Sequence, residues 1–212
     1  MSFRLGVDVG GTFTDLLLIN EDSGDTYTAK VPSTPDDSSQ GVLRGIERIC
    51  DESQIDPREI NRVMHGTTVA TNAILTGRGA SVGLVTTAGY EDTLHVARSF
   101  CPGGLGGWVS FVKKPLLAPL ELTVGAHERV GASGEIVIPL DEEKLKEDLI
   151  RLKQKGGIQA LTICFMNAYI NGENEARARE IAKEIFVDTP ISISSEVVPE
   201  MQEYERTETT VV

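Results

Sequence analysis

No Gly-Lys pair occurs anywhere in the 212 residues. That absence excludes a Walker A loop, whose lysine follows a glycine directly. No G-x-G-x-x-G is present, so the dinucleotide fingerprint is missing as well. H-E-x-x-H is absent, and no Ser-His-Asp order suggests a hydrolase triad, so zinc-protease and serine-hydrolase readings have no support. Only three cysteines occur, Cys50, Cys101 and Cys164, far apart. They read as reduced buried thiols rather than a disulfide framework or a zinc site. Basic residues are outnumbered, 20 against 32 acids, for a net charge of −12. Such a balance argues against nucleic acid or an anionic membrane as partner. No apolar run approaches membrane-spanning length, and Met1-Ser2-Phe3-Arg4 lacks a signal-peptide pattern. The expectation is a soluble, cytoplasmic protein whose 40% hydrophobic content supports a sizeable core.

The informative stretch lies at the start, Leu5-Gly6-Val7-Asp8-Val9-Gly10-Gly11-Thr12-Phe13-Thr14-Asp15-Leu16-Leu17-Leu18-Ile19. Two apolar runs flank a glycine turn, which predicts a β-hairpin with Gly10-Gly11-Thr12 at its tip. Glycine admits positive φ and lets another group approach the backbone closely. Adjacent backbone N–H groups and the Thr12 and Thr14 hydroxyls suit an anion such as phosphate. Asp8, at the end of the first strand, suits a divalent cation beside that phosphate, bridged by water. An ordinary tight hairpin with a surface aspartate fits the residue types equally well. With so acidic a chain, a phosphate would have to be held locally, by backbone dipoles and metal.

Further elements follow in order. Thr26 to Val31 reads as a third strand. Thr34 is the expected N-cap of a helix, with Pro35 at its first position and acids in its first turn. Val42, Leu43, Ile46, Ile49 and Cys50 form its apolar stripe. Asp56-Pro57 breaks the pattern, Arg62 to Met64 reads as a short strand, and Val69 to Leu75 as a helix ended by Gly77. Ser81 to Val85 predicts a buried strand. Residues 101–119 are glycine-rich and read as a mobile connection rather than a second nucleotide loop, with Trp108 packing on a partner or lining a substrate path. Glu121 to Ile138 predicts a hairpin around Ala132-Ser133-Gly134. Asp141 caps a helix carrying Leu145, Leu149 and Leu152, stopped at Gly156-Gly157. A strand over Ile158–Phe165, a helix over Glu173–Phe186, a strand over Ile191–Ser194 and a terminal helix over Glu200–Val212 complete the pattern. His95 and His127 have no partner pattern and read as structural; the acids around 141–143 and 203–205 read as a helix start and a solvated face.

Asp8-Val-Gly-Gly-Thr-Phe-Thr-Asp15 resembles the first phosphate loop of actin-class ATP-binding folds. His65-Gly66-Thr67-Thr68-Val69-Ala70-Thr71-Asn72-Ala73, Leu84-Val-Thr-Thr-Ala-Gly-Tyr90 and Tyr204-Glu205-Arg206-Thr207 complete a resemblance to the hydantoinase A/5-oxoprolinase family, which includes ketone carboxylase subunits. The resemblance implies an α/β fold: a ribonuclease H-like lobe of the actin-like ATPase class with an added α/β subdomain. The expected bounds are 1–95 for that lobe, 96–125 for the glycine-rich connection, 126–198 for the subdomain, and 199–212 for a helix leading to a second lobe of a longer polypeptide. It further implies ATP with Mg2+, or another divalent metal, and a cyclic amide or ketone as substrate. Asp8 would hold the metal's water shell, and Gly10, Gly11, Thr12 and Thr14 the phosphate. His65, Thr67 and Thr68 would face the transfer site beside the hairpin. A hydantoinase B-like second subunit and an oligomer are the implied partners. Residue types alone also admit a local structural role for His65, and the hairpin also admits a nucleotide-binding sensor or assembly module without turnover.

Overall fold

The structure, a computed structural model, describes residues 2–34, 37–77, 79–99, 103–104, 106–107 and 112–212. Pro35, Asp36, Cys101, Trp108 and much of the expected 101–119 connection lie outside them. The chain divides into two compact units, Met1–Gly79 and Ala80–Val212.

In the first unit, β1 (Phe3–Val9) and β2 (Phe13–Asn20) form the predicted antiparallel hairpin, with Val9 opposite Thr14. β3 (Thr26–Pro32) pairs antiparallel with β2, and β4 (Ile60–Thr67) parallel with β1, giving the order β3-β2-β1-β4. Along β1, Phe3, Leu5, Val7 and Val9 are buried. They pack with Leu16, Leu18, Ala29 and Val31 under α1 (Ser38–Ser53), which supplies Ile49 and Cys50. Period-two alternation sends the residues between them to the opposite face.

Helix α1 departs from expectation at both its start and its stripe. Asp37, not Thr34, is the N-cap, accepting from the Ser39 N–H. The Thr34 hydroxyl instead donates to the Asp37 carbonyl and accepts from the Gly41 N–H, tying the preceding loop to the first turn. No acid lies in that first turn. Leu43 is exposed, because Gly45 rather than a branched residue meets the sheet. A Cβ at Gly45 would sit 2.3 Å from Leu16 Cδ1, so only glycine lets the helix come this close. Strand β4 runs on through Thr67, past the expected end at Met64, because its N–H and C=O groups continue to pair with β1. Helix α2 (Val69–Thr76) then ends at Gly77 in the left-handed conformation, φ 64°.

The second unit contains β5 (Val82–Thr87), β6 (Thr123–Ala126), β9 (Ala160–Cys164) and β10 (Ile191–Ile193), all parallel, in the order β10-β9-β5-β6. Every residue of β5 is buried, as expected of a strand covered on both faces. Because β5 pairs with β6 and β9, it belongs to this unit and does not close the first lobe, which had been expected to reach residue 95. The expected hairpin over Glu121–Ile138 is likewise shorter. β6 joins the parallel sheet, and only β7 (Arg129–Val130) and β8 (Ile136–Ile138) pair antiparallel. The chain leaves the sheet at Glu128, whose carboxylate accepts from the Thr87 hydroxyl and, at 2.8 Å, from Asn174 Nδ2.

A short helix, α3 (Thr93–Val96), follows β5. Helix α4 (Glu142–Lys155) begins at its predicted cap, Asp141, and buries Leu145, Leu149 and Leu152. α5 (Glu173–Ile185) buries Ala178, Ile181 and Ala182 against the same core. After α6 (Ser194–Val197), α7 (Glu203–Val211) buries Thr207 and Val211. Cys50 and Cys164 are free and buried, as expected.

Fully buried Arg206 was not expected from the pattern. Its guanidinium donates to the Phe165 carbonyl at 2.8 Å, the Glu200 carbonyl at 3.0 Å and Ser194 Oγ at 3.1 Å, and pairs with Glu203. Glu203 also accepts from the Asn167 N–H, and Glu205 pairs with Arg98, so this acidic pair is engaged rather than merely solvated. Buried Glu175 accepts from the Phe165 and Ser195 N–H groups and from Ser194 Oγ in the same network. Removing one member of such a network strands the others without partners. Arg206→Met is therefore expected to lower stability by about 3 kcal/mol in urea unfolding followed by circular dichroism; a change within experimental error would contradict the network.

Burial raises the Glu128 carboxyl above its ordinary range, against the opposing pull of its Thr87 and Asn174 bonds. A carboxyl raised in the folded state stabilises fully below its unfolded value, and that contribution is lost as pH rises through the folded one. Glu128→Gln does not titrate. The stability of the natural chain relative to this variant is expected to fall as pH rises above the ordinary glutamate value of about 4.5, measured by unfolding at each pH; a constant difference would show that Glu128 does not carry the effect.

Candidate phosphate-binding site

The site is built from the end of β1 outward. Gly10 N–H donates to the Phe13 carbonyl at 3.0 Å and closes the turn. A Cβ at Gly10 would lie 2.9 Å from that same oxygen, so the tight closure requires glycine. The Gly11 and Thr12 N–H groups, both at exposed positions, have no partner among the described residues. Adjacent unpartnered N–H groups form a concavity that favours an anion.

β4 brings the second predicted stretch alongside. Val7 pairs with His65, Asp8 with Gly66 and Val9 with Thr67. The Thr68 N–H donates to the Val9 carbonyl at 3.2 Å, and Thr67 Oγ1 donates to the same carbonyl at 3.4 Å. Thr68 is the N-cap of α2, yet its side chain caps none of the helix's own N–H groups. The start of α2, with the positive end of the helix dipole, lies beside the hairpin tip. Hairpin tip and helix start are neighbours: a Cβ on Gly11 would lie 3.1 Å from Asn72 Nδ2.

One predicted side chain, Thr14, is not where its role required. Thr14 is completely buried, its hydroxyl 3.0 Å from Ser33 Oγ, which in turn donates to the Gly10 carbonyl. Strand alternation turns Thr14 to the α1 face with Leu16, so it supports the turn from beneath instead of offering a hydroxyl at its surface. Paired residues share a face, so Asp8 lies on the open face with Gly66, and His65 on the opposite face with Val7. His65 stands beside the hairpin and adjoins the same concavity as Asp8, although the register directs its side chain to Val7's face.

The open face is a concavity of about 840 Å³ whose lining includes Gly6, Asp8, Asp15, Lys30, His65 and Gly66. Asp15 is engaged by Lys30 Nζ at 2.9 and 3.0 Å. The Asp8 carboxylate is exposed and has no protein partner among the described residues. Gly66 keeps the neighbouring space open, since a Cβ there would be 3.9 Å from Asp8 Oδ1. A single carboxylate beside a phosphate site suits Mg2+, which keeps most of its waters and uses one or two carboxylates plus phosphate oxygens. No group of three or more potential metal-ligating side chains occurs among the described residues. No helix among them is long and apolar enough to cross a membrane.

Asn72 and Ser33, which the sequence pattern does not single out, also adjoin the turn. Neither carries a sequence signal of its own; their roles come from proximity to Gly11 and Thr14.

These features define a ribonuclease H-like α/β fold of the actin-like ATPase class with an added α/β subdomain. The model of the hydantoinase/oxoprolinase N-terminal region matches residues 4–186, and the chain belongs to that family. The gamma subunit of acetophenone carboxylase from Aromatoleum aromaticum is 34% identical over 98% of this chain and 30% of its own length. Caprolactamase subunit alpha from Pseudomonas jessenii is 33% identical over 99% of this chain and 30% of its own. The nucleotide-free structure of acetone carboxylase, from work on ATP-dependent acetone carboxylation, superposes with a TM-score of 0.86 at 27% identity, over 98% of this chain and 31% of that one. The ATP-dependent caprolactamase structure gives 0.83 at 32% identity, over 98% and 30%. The chain thus spans about a third of the length of these relatives.

The burial of Thr14 leads to a direct test. Thr14→Val is expected to cost about 1 kcal/mol in chemical denaturation, since it deletes a buried hydrogen bond. Thr12→Val, at the exposed tip, should stay within about 0.5 kcal/mol of the natural chain. Equal costs at the two positions would contradict their placement.

Proposed function

We propose that this chain is the N-terminal region of an ATP-dependent enzyme that phosphorylates a carbonyl oxygen, either to open a cyclic amide or to carboxylate a ketone. The observation that carries the reading is the unpartnered pair of N–H groups at Gly11 and Thr12, set against the start of α2 with Asp8 beside them. Family membership and relatives named as an ATP-dependent caprolactamase and an acetophenone carboxylase subunit support it.

The chemistry answers a physical need. An amide or ketone carbonyl is a poor electrophile and a poor enol. Phosphate transfer onto its oxygen creates a leaving group or traps the enol, and such transfer is catalysed largely by positioning and electrostatics. When bound, Mg2+ would offset the phosphate's negative charge. In this chain, Gly10, Gly11 and Thr12 would hold phosphate through the backbone, with Thr14 buttressing the turn. Thr68 and the first turn of α2 would face the same oxygens, with Thr67 and His65 on the adjoining strand. Asp8 would orient the metal's water shell from the open face. The substrate pocket, a hydantoinase B-like partner, oligomerisation and a cytoplasmic setting belong to the same proposal for the complete protein.

Asp8→Asn in the complete protein is expected to lower ATP-dependent turnover at least about a hundredfold, roughly 3 kcal/mol of transition-state stabilisation, with an unchanged melting temperature. The assay follows ADP release across hydantoins, 5-oxoproline, other lactams and aryl ketones. Undiminished turnover in the variant would refute the role of Asp8. ATP consumption that responds to none of these compounds would favour a nucleotide-dependent sensor or assembly module.

A further inference from the structure

We propose that Asn72 is a positioning residue that sets the proton of the Thr68 hydroxyl toward the phosphate and spaces the hairpin tip from α2; this rests on the nucleotide reading above. Asn72 is half-buried one turn into α2, and its Nδ2 donates to Thr68 Oγ1 at 3.1 Å. The same amide occupies the space that Gly11 leaves open: a Cβ on Gly11 would be 3.1 Å from Nδ2 and 3.6 Å from Cγ. One side chain therefore touches both halves of the site.

The hydrogen-bond inventory gives this contact a direction. A threonine hydroxyl has one proton and two lone pairs. Having accepted from Asn72, Thr68 Oγ1 keeps its proton for another acceptor, and it makes no capping bond within its own helix. An anion at the hairpin tip, beside the start of α2, is an acceptor of the right kind. By occupying one lone pair, Asn72 favours the hydroxyl orientation that points the proton at a negatively charged ligand. The Thr68 N–H bond to the Val9 carbonyl holds the backbone still while the side chain is oriented. The contact with Gly11 holds the tip at a fixed distance from the helix start, so loss of the amide would loosen both.

The test measures MgATP affinity of the full-length protein by calorimetry, with melting temperatures recorded in parallel. Asn72→Ala is expected to weaken Kd about tenfold, the scale of one hydrogen bond to a charged group. Asn72→Asp, nearly isosteric, should weaken it further, by at least about thirtyfold, because a carboxylate only accepts and would capture the Thr68 proton. In a Thr68→Val background, Asn72→Ala should cost clearly less than in the natural chain, because only the contact with Gly11 is then left to lose. In a Thr68→Ser background, which restores the hydroxyl, it should again cost about tenfold. Equal losses from Asn72→Ala with and without the Thr68 hydroxyl would overturn the proposal, as would natural affinity in Asn72→Asp. Asp8→Asn and Gly11→Val separate the two readings. If either weakens MgATP binding while Asn72→Ala does not, the positioning role alone fails. If neither changes it, or the natural protein binds no MgATP, the nucleotide reading fails and this inference with it.

Discussion

The first unit depends on β1 being paired along both edges. Antiparallel β2 and parallel β4 occupy its N–H and C=O groups on either side, so its register with both is determined. A slip of one residue would turn Leu5, Val7 and Val9 out of the core and Asp8 into it. Burial of that apolar set is therefore what holds an unpaired carboxylate on the open face. The same register stacks Thr67 and Thr68 against the end of β1, where the hairpin exposes its free N–H groups.

Below this turn lies a layer that no ligand needs to touch. Thr14 and Ser33 bond to each other, and Ser33 to the Gly10 carbonyl, so the turn is anchored from the α1 side. Gly45 brings α1 close enough to Leu16 to complete that support. Polar groups are thus divided by position: those beneath the turn are paired with one another, while those at its tip face outward without protein partners.

The second unit handles burial of charge by a different route. Glu175 receives two backbone N–H groups and a serine hydroxyl, and Arg206 gives its protons to two carbonyls, Ser194 and Glu203. These bonds join α7 to β9, α5 and α6 through groups that would be costly to bury singly. The Tyr204-Glu205-Arg206-Thr207 stretch, which marked the family in the sequence, acts here through Arg206 and Thr207 as the inner face of a helix, and Cys164 lies 3.0 Å from the Thr207 hydroxyl.

Local patterns alone determined a good deal. Apolar alternation and two glycines specified the β1–β2 hairpin, because glycine is what its closure tolerates. Asp141, three leucines and Gly156 specified α4, because cap, stripe and stop all lie within one segment. Positions governed by remote neighbours were decided only in three dimensions. Leu43 was free to face solvent because Leu16, distant in sequence, required Gly45 against the sheet. β5 joined β6 and β9, a pairing that no local run of apolar residues can encode. The face chosen by each strand residue buried Thr14 and directed the His65 side chain to Val7's face, since side chains alternate while motifs are read continuously. The contact between Asn72 and Gly11 likewise exists only because β4 lies parallel to β1 and delivers α2 to the tip of the hairpin.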